Sequence, residues 1–172
     1  MSITECLNIG CGLRRFNNAV NVDMTYKKND SEPNVVANAL ALPFPKETFE
    51  CVLASHILEH IPKNQHYIAL KEWRRVLIPK GKAMISVPEF DVCLRNYLDN
   101  YQGNIEYWEM TIFGACRYPG DEHKSGITQR YLADLLFTVG FSNLRWERTD
   151  RELACIGVTA IKSELLPGRL GY

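Results

Sequence analysis

The stretch LNIGCG, residues 7–12, decides how this chain is read. A short apolar run ends on two glycines one residue apart, Gly10 and Gly12. That pattern suits a buried strand giving way to a loop that turns sharply and lets a ligand approach its backbone. The next β-rich run, AVNVD at 19–23, closes on Asp23, either a plain turn residue or a carboxylate placed to accept from the hydroxyls of a ribose. A dinucleotide fits the pair poorly. The third glycine of G-x-G-x-x-G is Arg15, and Asp23 follows Gly10 by 13 residues (23 − 10), whereas the dinucleotide fold has its acid about twenty residues on. A nucleoside without a pyrophosphate fits better.

Outward from this loop, short apolar runs alternate with helical patterns. NVVANA (34–39) reads as a weak strand, ECVLAS (50–55) as one buried on both faces, and KAMISVP (82–88) as another. A helix is expected over 64–78, with Asn64 as its cap and Ala69, Leu70, Trp73, Val76 and Leu77 on one face. Pro79-Lys80-Gly81 ends it. A second helix is expected over 128–139, capped by Thr128 and stopped by Gly140, with Leu132, Leu135, Leu136 and Val139 inward. Two strands, 142–148 and 153–161, form a closing antiparallel hairpin. The alternation predicts an α/β sheet with a crevice at the C-terminal ends of its strands. Residues 89–127, rich in aromatics, are placed as a small cap over that crevice, within a single domain of residues 1–172.

The 172 residues suffice to bury a core without staples, and 46% hydrophobic with 23% charged residues is a globular composition. Twenty basic residues balance twenty acidic ones, so no electrostatic footprint of a nucleic-acid binder is present. KEWRR (71–75) reads as a solvated helix face. Six cysteines without a C-x-x-C pair give neither a zinc-finger spacing nor a disulfide framework. No signal-peptide pattern and no run of transmembrane length is found, so a cytoplasmic protein without membrane association is expected.

LNIGCG with VNVD, VVANALALPFPKETFECVLASHILEHIP, and EWRRVLIPKGKAMISVPE, in that order, resemble the class I S-adenosylmethionine-dependent methyltransferases. Within them they are similar to the small type-11 branch. The resemblance is strong over residues 5–90 and continues loosely through 112–141. It implies a Rossmann-like, doubly wound, mostly parallel sheet with a C-terminal antiparallel hairpin. S-adenosylmethionine is the implied cofactor and S-adenosylhomocysteine its product. The resemblance also implies site roles. Asn8, Gly10, Cys11 and Gly12 line the methionine and adenosine part, and Asp23 holds the ribose. Asn38 and Ala39 meet the adenine, and Ser55 and His56 lie beside the methionine moiety. Three positions depart from the family pattern: Asn8 replaces an acid, Arg14 a glycine and Asn38 an aspartate.

Two features stand apart from that pattern. In SHILEHIP (55–62), His56, Glu59 and His60 spell H-x-x-E-H, an inverted zinc-protease signature. The motif leaves a buried strand directly and meets Pro62, so a helix carrying both histidines has no room, and no metal is expected. Only LRRFNN and a residue or two separate the first two strands, too few for a crossover helix. That helix is expected to be shortened or missing. The thinly covered flank then calls for the tail LLPGRLGY, a homodimer partner, or an exposed apolar patch.

If the methyl acceptor is a hydroxyl or amine, a base must take its proton, and His123 in GDEHKSG and His56 are the candidates. His123 serves equally well as a solvent-facing loop histidine. The cap aromatics suit either stacking on a sugar or packing as the cap's own core. The leading expectation is a methyltransferase acting on a small molecule such as a saccharide or cell-envelope precursor. Its rival is a cofactor-binding but inactive partner subunit.

Overall fold

The structure, a computed structural model, describes residues 4–24, 34–150 and 154–164. The seven strands it contains are β1 (Thr4–Ile9), β2 (Ala19–Asp23), β3 (Val35–Val36), β4 (Phe49–Ser55), β5 (Leu77–Pro88), β6 (Phe141–Asp150) and β7 (Cys155–Lys162). They form one sheet in the order β3-β2-β1-β4-β5-β7-β6. All neighbours from β3 to β5 run parallel, while β7 is antiparallel to both β5 and β6. The expected doubly wound sheet and its C-terminal antiparallel pair are both present. The direction of winding reverses between β1 and β4, and a crevice opens beyond the C-terminal ends of strands at such a point.

Helices α1 (His66–Val76) and α4 (Gln129–Val139) pack together. Arg74 ties them, its guanidinium donating to the carbonyls of Gly140 (3.1 Å) and Ser163 (2.8 Å). Leu7, Ile9, Val52, Ala54, Ala83, Ile85, Val158 and Ala160 are buried in the same core as Leu70, Trp73, Leu132 and Leu136 of these helices. Alternate strand positions fare differently. Lys82, Met84 and Ser55 are exposed, and Cys51 and Leu53 half-buried.

Several boundaries differ from the sequence expectation, most of them for a local reason. The strand expected over 34–39 shrinks to Val35–Val36. Asn34 Oδ1 takes the N–H of Asn21 and Asn38 Oδ1 that of Leu40, so side chains compete with the ladder on both sides. Helix α1 starts at His66, not at 64; Asn64 lies inside a 3₁₀ turn over Lys63–Gln65 that follows Pro62, and makes no cap. β5 begins at Leu77, where 82 was expected. Leu77 pairs with Phe49 and Lys82 with Cys51, so the Pro79-Lys80-Gly81 turn is looped out of the ladder. The last strand reaches Lys162. By contrast, α4 ends as read: Thr128 accepts from the Tyr131 N–H, and Gly140 stops the helix at φ 98.

No helix joins β1 to β2. Buried Asn21 stands in for it. Its Oδ1 accepts from Asn8 Nδ2 (2.9 Å) and the Phe16 N–H (3.1 Å), while its Nδ2 donates to Phe16 O (3.1 Å) and Asn34 Oδ1 (2.9 Å). The tail at 165–172, named above as a cover, lies outside the described residues.

Residues 89–127 carry α2 (Phe90–Leu98) and α3 (Ile105–Phe113). Cys93, Trp108 and Ala154 make a small core of their own, with Tyr97 and Tyr107 packed against it. Phe90 fills the space above Gly126, where a Cβ would lie 2.5 Å from its ring. Phe113 and Tyr118 are exposed. The aromatics therefore divide between packing and surface. No helix among the described residues is long and apolar enough to cross a membrane.

Candidate active site

The site is built at the C-terminal ends of β1, β2 and β4. Gly10 (φ 65) and Gly12 (φ 48) both adopt left-handed backbone, which glycine enters without penalty. Their surroundings differ. A Cβ on Gly10 would lie 2.7 Å from Ile57 Cδ1, whereas one on Gly12 would meet nothing within 4 Å. Gly10 is therefore a packing glycine under Ile57, a residue that sequence reading passed over, and Gly12 faces open space. The Cys11 N–H donates to Val22 O (3.1 Å), tying the loop to β2.

The Gly12 N–H donates to Asp23 Oδ2 at 2.8 Å. This bond fixes the carboxylate beside the glycine loop. Asn8 lies underneath. It is buried, and its amide donates to Arg14 O (2.8 Å) and to Asn21 Oδ1, so it braces the loop from below. Asn38 is exposed, and its Oδ1 accepts from the Leu40 N–H in a local turn. Buried Ala39 uses its carbonyl to accept from Trp73 Nε1 (2.9 Å).

At the end of β4, Ser55 accepts from Ser86 Oγ (2.9 Å), and His56 turns the chain with φ 53. A non-glycine residue held there carries strain of the kind found at functional sites. Its Nε2 lies 3.9 Å from Cys155 Sγ and its Nδ1 3.0 Å from Glu59 Oε1. These two partners raise its pKa from 6.5 to about 10, so His56 is a cation at neutral pH and a poor proton acceptor. Burial moves His123 the other way, below the usual imidazole value. Of the two base candidates, only His123 is neutral where it would be needed.

The H-x-x-E-H residues separate in space. Leu58–His60 is a single 3₁₀ turn, and Ile61 is already extended, so no α-helix carries both histidines. His56 faces Cys155 and Glu59, while His60 stacks edge-on with His123, ring centroids 4.9 Å apart. His60 Nδ1 sits 3.0 Å from the carbonyl oxygen of Glu122. The backbone enforces this meeting: the N–H groups of Lys124 and Ser125 both donate to Glu59 O, and the His123 N–H to Phe113 O. Gly114 makes it fit, since a Cβ there would lie 2.3 Å from Asp121 O. Glu59 is 2% exposed, and its Oε2 has no hydrogen-bond partner among the described residues. No local signal in the sequence joins residue 60 to residue 123.

A family described as a methyltransferase domain matches residues 7–85. Among curated proteins, the chain is 31% identical over 104 residues to an uncharacterized protein of Methanocaldococcus jannaschii, covering 55% of this chain and 45% of that protein. It is 32% identical over 123 residues to the ubiquinone/menaquinone biosynthesis C-methyltransferase UbiE of Blochmanniella pennsylvanica, covering 65% and 46%. The chain thus spans less than half the length of these relatives. Two solved structures share the fold. A SAM-dependent methyltransferase of Methanosarcina mazei has a TM-score of 0.61 at 18% identity, covering 96% of this chain and 94% of that one. The 1,6-didemethyltoxoflavin-N1-methyltransferase of Burkholderia thailandensis, crystallised with S-adenosylhomocysteine, has a TM-score of 0.64 at 15% identity, covering 94% and 72%.

Proposed function

We propose that the chain is a class I S-adenosylmethionine-dependent methyltransferase acting on a small molecule, a reading supported by the methyltransferase-domain match over residues 7–85. The observation that carries the reading is the Gly12–Asp23 bond across the C-terminal ends of β1 and β2, beside the winding reversal of the sheet. It presents a carboxylate and a side-chain-free backbone to one ligand, as an adenosyl group needs. Gly10, Cys11 and Gly12 cradle the donor, Asp23 holds its ribose, Asn38 and Ala39 border the adenine, and Ser55 and His56 border the methionine moiety. Asn8 acts through the loop it braces.

Methyl transfer from a sulfonium is a displacement in which the positive charge is consumed. The protein's main task is to hold the acceptor in line with the methyl carbon, which converts a bimolecular encounter into a positioned one. Residues 89–127, as the cap of a single domain, limit water at the reacting atoms. His123 takes the proton of a hydroxyl or amine acceptor. Within the small-molecule class, a saccharide or cell-envelope precursor is the narrower proposal. It is supported by the exposed ring of Phe113, whose carbonyl holds the His123 backbone. A homodimer across the sheet face of Leu53 and Met84 is proposed as the cover for the flank that lacks its crossover helix.

Titration calorimetry with S-adenosylmethionine and S-adenosylhomocysteine tests the reading. Asp23→Ala should weaken both by about 1–3 kcal/mol, the scale of a hydrogen bond to a charged group. Absence of binding to the unmodified protein would refute the assignment. His123→Ala should bind the donor normally yet lose turnover on an acceptor pool of sugar nucleotides and quinols; unchanged turnover would remove its role.

A further inference from the structure

We infer that Glu59, His60 and His123 form a binding site for one divalent transition-metal cation of the zinc type, joining the turn after β4 to the loop after α3. The sequence reading assigns no metal because it looks to His56 and His60; the fold brings His123 to the motif instead. One ligand atom from each of the three residues lies within 4.8 Å of the other two. On a tetrahedral zinc ion with bonds near 2.0–2.1 Å, two ligand atoms stand about 3.3 Å apart.

Three further features suit the three residues to a cation. Glu59 is buried to 2% exposure, and although the cationic His56 faces its Oε1, its Oε2 finds no hydrogen-bond partner among the described residues, a cost that a second positive group at that oxygen would offset. Its Oε1 is held by His56 at 3.0 Å, which orients the carboxylate as outer-shell partners of metal sites do. His60 Nδ1 faces a carbonyl oxygen, which can only accept, so that nitrogen carries the hydrogen and Nε2 keeps its lone pair for a metal. That contact on His60 is of the kind that fixes tautomer and ring orientation in ligating histidines.

The donor set selects the cation. Two imidazoles and one carboxylate suit zinc, cobalt or nickel and not calcium or magnesium, which take oxygen donors. Three protein ligands leave a fourth position for water or for a hydroxyl of the acceptor. In the metal-loaded protein His123 holds the cation, not a proton, so the loaded and unloaded forms differ in what polarises the acceptor. The inference shares a corner with the acceptor reading but does not depend on methyl transfer, because its test reads binding alone.

The chelator-stripped full chain is titrated with cobalt(II), followed by visible absorption, and then with zinc(II) in competition. One equivalent should bind with ligand-field bands of a four- or five-coordinate site and without a thiolate-to-cobalt charge-transfer band. His60→Ala and His123→Ala should each weaken binding by about tenfold or more, since even outer-shell losses cost about that much. No stoichiometric binding to the unmodified protein overturns the proposal, and so does a strong thiolate band, which would assign the metal to the cysteines. Both of those readouts use the unmodified chain, so a variant that fails to fold does not rescue the idea. If calorimetry detects no S-adenosylmethionine binding while cobalt still binds, the functional reading fails and this one stands.

Discussion

Gly10 and Gly12 look alike in the sequence and do different things. Gly10 needs glycine for two reasons, its positive φ and the Ile57 side chain 2.7 Å from where a Cβ would stand. Gly12 needs it for φ alone, because a Cβ there would meet nothing within 4 Å among the described residues. The two alanine variants should therefore separate. Gly10→Ala should lower unfolding stability by about 1–3 kcal/mol, the range for overpacking plus left-handed strain. Gly12→Ala should cost only about 1 kcal/mol of stability, for left-handed strain, while a methyl at the mouth of the loop lowers donor affinity. Urea unfolding and calorimetry on the pair measure this, and equal stability losses would show that Ile57 yields freely. The loop itself is legible in the sequence, as is Asp23 thirteen residues on (23 − 10). Ile57 is not, because a steric partner 47 residues away (57 − 10) leaves no mark in a local pattern.

At the scale of elements, the strands and α4 follow from periodicity and capping, and the misplacements share one cause. Where Asn side chains or prolines intervene, local hydrogen bonding overrides the apolar period, as at the shortened β3 and at the 3₁₀ turn ahead of α1. The same chemistry substitutes for the crossover helix. Residues 10–18 keep no helix, so their polar groups need other partners, and Asn21 supplies them to Asn8, Phe16 and Asn34. Asn21→Ala should leave one N–H of the buried Asn8 amide without its partner, while the N–H of exposed Phe16 can turn to water, and cost about 1–3 kcal/mol, the scale for one orphaned buried group. Denaturant midpoints measure the loss, and a change below about 0.5 kcal/mol would mean the loop is held by other contacts. Donor affinity should fall with it, since Asn8 then loses one of its two tethers under the glycine loop.

Across the whole molecule, the residues of the matched methyltransferase segment and those after it meet at His66. This fully buried imidazole has Nδ1 3.1 Å from the Tyr131 hydroxyl of α4, and Nε2 2.9 Å from Ile61 O and 3.0 Å from Ser125 Oγ. Nothing in the sequence marks it beyond a histidine one residue past a 3₁₀ turn; its partners lie 59 and 65 positions away. Burial depresses its pKa below the usual imidazole value, with the carbonyl of Ile61 opposing in part. Between the folded pKa and the unfolded value of about 6.5, the unfolded chain binds a proton that the folded chain refuses. The His66 contribution is therefore complete above about pH 6.5 and declines as the pH falls below it, levelling only once the folded imidazole is itself protonated. Other groups titrate in the same range, so the informative quantity is the stability gap between the native protein and His66→Gln. That gap should be widest near pH 7.5 and narrow towards pH 5, because glutamine has no proton to gain. Thermal or urea unfolding of both proteins at pH 7.5, 6.5, 5.5 and 5.0 tests it, and a gap constant across the series would mean that His66 titrates alike in the folded and unfolded chains.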